Sequence, residues 1–168
     1  MIILGIDTAM RCTGYGLIHA DGDNFKALDC GVIKNSRKIT HSECLRRLAG
    51  GIKEIIRGHK IDAAAIEGAF YGKNIKTTLI LGYARGCVMT VLAEAGITTY
   101  AYSPKEVKLG TAGSGFASKQ QVAVMMSALL DINIDQLEND ATDALGLALC
   151  HANRALRTGS DLFLSKPI

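Results

Sequence analysis

The stretch Asp140-Ala-Thr-Asp143, continuing through Ala144, Leu145, Leu147, Ala148 and Leu149, reads as a helix running to about Arg154. It admits few folds. A helix this apolar around its circumference is buried. Its two acids, three residues apart, share one helical face. They therefore stand at the edge of a core and not in open solvent. At ~4 Å under an intermediate dielectric, two such anions repel by roughly a few kcal/mol. Three resolutions are open. A cation neutralises them, one carboxyl keeps its proton, or both simply complement the positive helix N-terminus.

The rest of the composition narrows the class. With 168 residues, 48% apolar and 21% charged, the chain suits one globular domain with a real core. The start, Met-Ile-Ile-Leu-Gly-Ile-Asp, lacks the basic n-region of a signal peptide, and no apolar run reads as a membrane span. The five cysteines stand far apart, at 12, 30, 44, 87 and 150, with no Cys-x-x-Cys. That argues against a disulfide framework and against zinc, and reduced thiols place the chain in a cytoplasm. A net charge of +3 is too weak to indicate nucleic acid by itself.

In order, Ile2–Ile6 reads as a buried strand ending at Asp7. Arg11–Gly16 reads as a turn into a second strand with Leu17 and Ile18, Asp21-Gly-Asp as a hairpin turn, and Leu28–Ile33 as a third strand. A helix follows over about 42–57. Ala63–Ile66 is a compact strand ending, again, in a carboxylate, Glu67. Phe70 and Tyr71 then lie in a loop beside Lys73 and Lys76. Aromatics there lid a core or, next to bases, stack on nucleobases. A long helix over about 75–95 places Ile75, Leu79, Val88, Val91 and Leu92 on one side. Gly82 and Gly86, one turn apart, predict close approach of another backbone, from within the chain or from a second subunit. Ile97–Tyr102 is a fifth strand. Ser103-Pro-Lys-Glu106 and Ser118-Lys-Gln-Gln121 are capping boxes opening two helices. Thr111–Phe116 between them, flanked by Lys108 and Lys119, reads as a glycine-bearing loop for phosphate contact or for simple solvation.

The order βββ-α-β-α-β-α-α-α predicts an α/β fold, a five-stranded mixed sheet flanked by helices on both faces. Residues 1–155 form the expected domain, and 156–168 a partly disordered C-terminal tail. Asp7 and Glu67 close the two strands expected at the centre, where ligand sites of such sheets lie. Together with Asp140 and Asp143 they make a four-carboxylate candidate site. Oxygen-only ligands suit Mg²⁺, with Mn²⁺ as substitute. Such a set can hold two ions roughly 3.5–4 Å apart for in-line phosphodiester displacement. Lys119 or Lys108 would add positive charge at the reacting phosphate. The plainer reading makes Asp7 and Glu67 turn or cap residues.

Several of these stretches are familiar as a set. Gly5-Ile-Asp7 with Thr13-Gly-Tyr-Gly16, Ala65-Ile-Glu67, Leu81-Gly-Tyr-Ala-Arg-Gly86 and Asp140-Ala-Thr-Asp-Ala144 resemble the RuvC family of Holliday junction resolvases over about residues 1–155. The resemblance implies a ribonuclease H-like fold and a homodimer with two active sites on a four-way DNA junction. It implies paired symmetric nicks leaving 5′-phosphate and 3′-hydroxyl ends, T-rich cleavage sites, and work alongside the RuvA–RuvB branch migration complex. By position, Asp7, Glu67, Asp140 and Asp143 match the family's metal ligands. Lys108 and Lys119 match its lysines near the scissile DNA, and Phe70 an aromatic inserted near the crossover. Two positions depart from the pattern. Thr8-Ala9 stands where the family usually has Pro-Gly, which predicts a different local backbone. Gly68 stands where a polar residue is common, which predicts a looser loop around Phe70.

Three rivals remain at this level. A ribonuclease H or general structure-selective nuclease would share the carboxylates without requiring a dimer. An actin-like or sugar-kinase half would share Gly-Ile-Asp and Thr-Gly but needs a second domain. A non-enzymatic junction binder would gain nothing from four acids.

Overall fold

The computed structural model describes residues 1–68, 74–158 and 166–168. One five-stranded sheet carries the fold, in the order β3-β2-β1-β4-β5. The strands are β1 (Ile2–Asp7), β2 (Cys12–Asp21), β3 (Asn24–Lys34), β4 (Ala63–Glu67) and β5 (Thr99–Tyr102). The first three form an antiparallel meander. The crossovers through α1 (His41–Gly58) and α2 (Ile75–Glu94) make β4 and β5 parallel to β1. Then come α3 (Pro104–Ala112), α4 (Lys119–Leu130), a short 3₁₀ turn (Ile134–Gln136) and α5 (Asn139–Thr158).

Alternation along β1 divides the core between two faces. Leu4 and Ile6 join Leu48 and Ile52 of α1 and Val88 and Leu92 of α2 on one side. Ile3 joins Met126 and Leu130 of α4 and Leu145, Ala148 and Leu149 of α5 on the other. Helices thus cover both faces, as expected. Both predicted capping boxes are present, at Ser103/Glu106 and Ser118/Gln121. A buried Tyr102 Oη–His151 Nδ1 hydrogen bond of 2.7 Å ties the end of β5 to α5.

Four expectations need correction. Thr13–Gly16 is not a turn but lies inside β2, paired with β1. The reason is α5, whose backbone presses on that part of the sheet. A Cβ added at Gly5 would lie 1.9 Å from the Ala144 carbonyl oxygen, and one at Gly14 1.9 Å from that of Asp140. Second, the apolar stripe of α2 divides: Val88, Val91 and Leu92 are buried, whereas Ile75 is 76% exposed and Leu79 51%. Third, Gly82 and Gly86 have open space beside them, with no backbone of another segment within 4 Å among the described residues. Fourth, α2 is long and apolar enough by composition to cross a membrane. Its packing on α1 and the sheet accounts for only part of that apolar surface.

At the far end, α5 continues to Thr158, into the stretch expected as tail. Pro167 bridges to Tyr100, and the Ile168 amide donates to the Thr99 carbonyl at 3.0 Å, so the last residues run back along β5.

Gly5→Val should therefore cost about 3 kcal/mol or more, because backbone and not a flexible side chain blocks the new atoms. Gly50→Ala, on α1 with nothing within 4 Å, should instead stabilise by up to about 1 kcal/mol. Urea denaturation of the two variants checks the contrast.

Candidate active site

Strand register sets two of the four acids side by side. Ile6 pairs with Ile66 in the parallel β1–β4 ladder, so Asp7 and Glu67 leave the sheet together at one end. Asp7 also pairs with Gly14 of β2. The first turn of α5 rests directly on Gly14, which brings Asp140 over the exit of β1, with Asp143 one turn along.

The electrostatics record this convergence. Burial first, then the charges of Glu67, Asp143 and Asp140, push the Asp7 carboxyl up to about 7. Burial and Asp143 raise Glu67, while Arg85 pulls it down. Partial desolvation raises Asp143; Lys119 opposes the shift and Asp140 adds to it. Anions crowded at the rim of a core in this way call for positive charge. Among the described residues, no three His, Cys, Asp or Glu side chains are drawn tightly enough to form a preassembled metal site. The donors nonetheless fit a hard cation: all are carboxylate oxygens, and a cation would relieve the repulsion that raises Asp7.

Several supporting residues are invisible in the sequence pattern. The Cys12 thiol donates to Asp140 Oδ2 at 2.9 Å. Thr13 Oγ1 donates to the Ala9 carbonyl at 2.6 Å and accepts from the Ala9 amide at 3.2 Å, bracing the loop after Asp7. Asn35 Nδ2 holds the Met10 carbonyl at 3.0 Å. The Arg85 guanidinium donates to the Glu67 carbonyl, linking α2 to the end of β4. Cys12, Asn35 and Arg85 join segments well apart in sequence, and only Thr13 and Arg85, inside stretches that resemble the family's, carried any signal.

The backbone at both departures from the family pattern is described, while the loop around Phe70 lies outside the described residues. Among the described non-glycine residues only Asp131 has positive φ, so Thr8-Ala9 needs no left-handed turn. Gly68 extends the ladder, its amide donating to the Tyr102 carbonyl at 2.8 Å.

Of the basic candidates, Lys119 stands at the start of α4, close enough for Asp143 to feel its charge. Lys108 on α3 and Lys76 in the first turn of α2 form no ion pair with the four acids among the described residues. Phe70, Tyr71 and Lys73 lie outside the described residues.

A pH signature follows. The folded state holds the Asp7 proton to about pH 7, against 3.8 as the ordinary value. Between those values the folded chain binds more protons than the unfolded one, so stability falls as pH rises, by a few kcal/mol. Asp7→Asn should flatten this fall. Mg²⁺ should raise the melting temperature at pH 8 and barely at pH 5. Thermal melts across pH, with and without Mg²⁺, measure both effects.

Residues 3–151 match the family model described as "Crossover junction endodeoxyribonuclease RuvC". The crossover junction endodeoxyribonuclease RuvC of Chlorobaculum parvum is 40% identical over 154 residues, covering 92% of this chain and 82% of that protein. That of Pelotomaculum thermopropionicum is 36% identical, covering 91% and 93%. Thermus thermophilus RuvC, solved in complex with a Holliday junction substrate, superimposes with a TM-score of 0.91 at 29% identity, covering 100% of this chain and 99% of that one. The yeast mitochondrial Holliday junction resolvase Ydc2, at 13% identity and a TM-score of 0.65, shares the fold. With the family match spanning both carboxylate-bearing strands and the acidic head of α5, the chain belongs to the RuvC family of crossover junction endodeoxyribonucleases and has its ribonuclease H-like fold.

Proposed function

We propose that this chain resolves four-way (Holliday) DNA junctions in recombination and repair, by paired symmetric nicks that leave 5′-phosphate and 3′-hydroxyl ends. The observation that carries this reading is the crowding of Asp7 by Glu67, Asp140 and Asp143 within a family of junction nucleases. Those four residues would hold Mg²⁺, two ions per site, with Mn²⁺ as substitute. A divalent cation there supplies charge against the phosphodiester and makes a water acidic enough to attack. The chain's own residues do the rest. Asp7 and Glu67, fixed by strand register, present oxygens to one side of the phosphate. Asp140, oriented by Cys12, and Asp143 present theirs from α5. Lys119, whose charge is felt by Asp143, stabilises charge building on the phosphate. Lys108, Lys76 and Lys73 contact the DNA backbone, and Phe70 and Tyr71 contact bases near the crossover.

A homodimer completes the reading. Ile75, Leu79, Gly82, Tyr83 and Gly86 follow helical spacing along α2 and are exposed in the single chain. Glycines with open space beside them among the described residues suit close packing against the same helix of a second copy. This also gives the apolar surface of α2 a protein partner and not a bilayer. Residues 1–155 serve as the nuclease unit, in the cytoplasm, where five free thiols persist and the RuvA–RuvB complex supplies the junction.

Asp7→Asn should abolish cleavage of a four-way junction while gel-shift affinity for it persists; lost binding in a folded variant would make the acid structural. A duplex and an RNA–DNA hybrid run alongside separate the resolvase from a general nuclease. Gly82→Leu should shift sedimentation from dimer to monomer and uncouple the paired nicks. A dimer that survives it would move the interface elsewhere.

A further inference from the structure

The fold leaves one aromatic ring unused. Phe116, between α3 and α4, is 88% exposed, more than any other large apolar side chain among the described residues. Its segment is not loose. Gly113 closes α3 in the left-handed region at φ 72°, the Phe116 amide donates to Ser114 Oγ at 3.3 Å, Ala117 is buried, and Ser118 caps α4. The ring is therefore held out by a braced turn. Packing does not account for it, and with the exposed Val124 and Met125 of α4 in the same hollow it forms a contiguous apolar patch of the kind that marks a contact surface.

Its surroundings specify the contact. Lys105 Nζ lies 5.2 Å from the ring centroid. The Lys105 stem runs over Gly115, where an added Cβ would be 2.8 Å from Lys105 Cγ. Lysine and ring thus form one unit. Lys108 follows Lys105 by three residues on α3, on the same helical face. The ring also lines an open surface hollow of about 540 Å³ with Ala117, Gln120 and Val124, wide enough to admit a nucleobase. The unit stands at the carboxylate end of the sheet. Tyr102 pairs with Glu67, Ser103 caps α3, and Lys105 lies in the first turn beyond. Three residues after Phe116, Lys119 is felt by Asp143. A flat apolar face with Lys105 across it, and with Lys108 and Lys119 on the two helices that flank its turn, matches a nucleobase with its phosphates; a purely apolar protein partner would leave those cations unmet.

We propose that Phe116, with Lys105 across its ring, is a stacking platform for an unpaired nucleobase of the junction strand beside the scissile phosphate, a DNA subsite additional to the carboxylate site. It rests on the resolvase reading, deepens it, and makes Phe116 a determinant of strand position and cleavage-site choice.

The chain contains no tryptophan, so Phe116→Trp introduces a single indole reporter. In an Asp7→Asn background, which keeps the DNA intact, a labelled four-way junction is titrated while its anisotropy and the indole emission are followed. Emission should be quenched in step with anisotropy, as stacking requires. Full binding without a change in emission overturns the platform while leaving the resolvase reading standing. No binding of the junction by the wild-type chain in EDTA, which likewise keeps the DNA intact, overturns both. Independently, Phe116→Ala and Phe116→Leu should weaken junction affinity about five- to hundred-fold, the range set by the loss of one base–aromatic stack, and Phe116→Tyr should restore it. Melting temperatures should not move, since the ring is not packed. Affinity equal to wild type in Phe116→Ala also overturns the proposal.

Discussion

Backbone-to-backbone contact between α5 and the sheet is the constraint from which the site follows. A helix normally stands off a sheet by the depth of its side chains. Here Gly5, Gly14 and Gly16 clear a strip across β1 and β2, and α5 settles into it. Any side chain at Gly5 or Gly14 would collide with the Ala144 or Asp140 carbonyl oxygen, atoms that cannot swing aside. That close seat lowers the first turn of α5 to the strand ends. Without it, Asp140 and Asp143 would ride too far from Asp7 and Glu67 to be felt by them.

Convergence has an energetic cost that falls on the cluster itself. Asp7 is pushed to about 7 by burial and by three neighbouring carboxylates. The fold counters this with contacts of other kinds: a thiol on Asp140, a guanidinium on the Glu67 carbonyl and a lysine beside Asp143. None cancels the negative charge, and the imbalance is what makes the cluster receptive to a cation. Local destabilisation at a functional site, offset by the surrounding core, is the usual arrangement. Arg85 adds a second consequence. It lies on the same helix as the exposed Gly82 and Gly86, so the helix read as the dimer contact also holds the end of the strand bearing Glu67.

Much of the architecture was legible because local rules and global fold agree. Apolar runs ending in Asp7 and Glu67 marked buried strands, and Ser103 and Ser118 marked helix starts that the structure reproduces as capping boxes. Misreadings arose where a residue answers to a distant neighbour. Gly14 and Gly16 looked like a turn because glycine is usually a conformational signal, whereas here each is a space left for α5. Ile75 and Leu79 share one apolar side with the buried Val88 and Leu92 yet stand in solvent, because helical periodicity records an apolar face without saying what covers it. Cys12 and Asn35 carried no local pattern, since each acts on a segment brought near only by folding.

The sequence alone determined the family, the element order, the hydrophobic faces and the identity of the acids, because these rest on periodicity, capping and residue chemistry, which are local. The tertiary structure decided how close those acids come, which of them stays protonated near neutrality, and which apolar residues remain in water. Those properties depend on the distance between segments as far apart along the chain as Asp7 and Asp143. Charge repulsion and solvent exposure are functions of that distance, and the order of residues along the chain does not encode it directly.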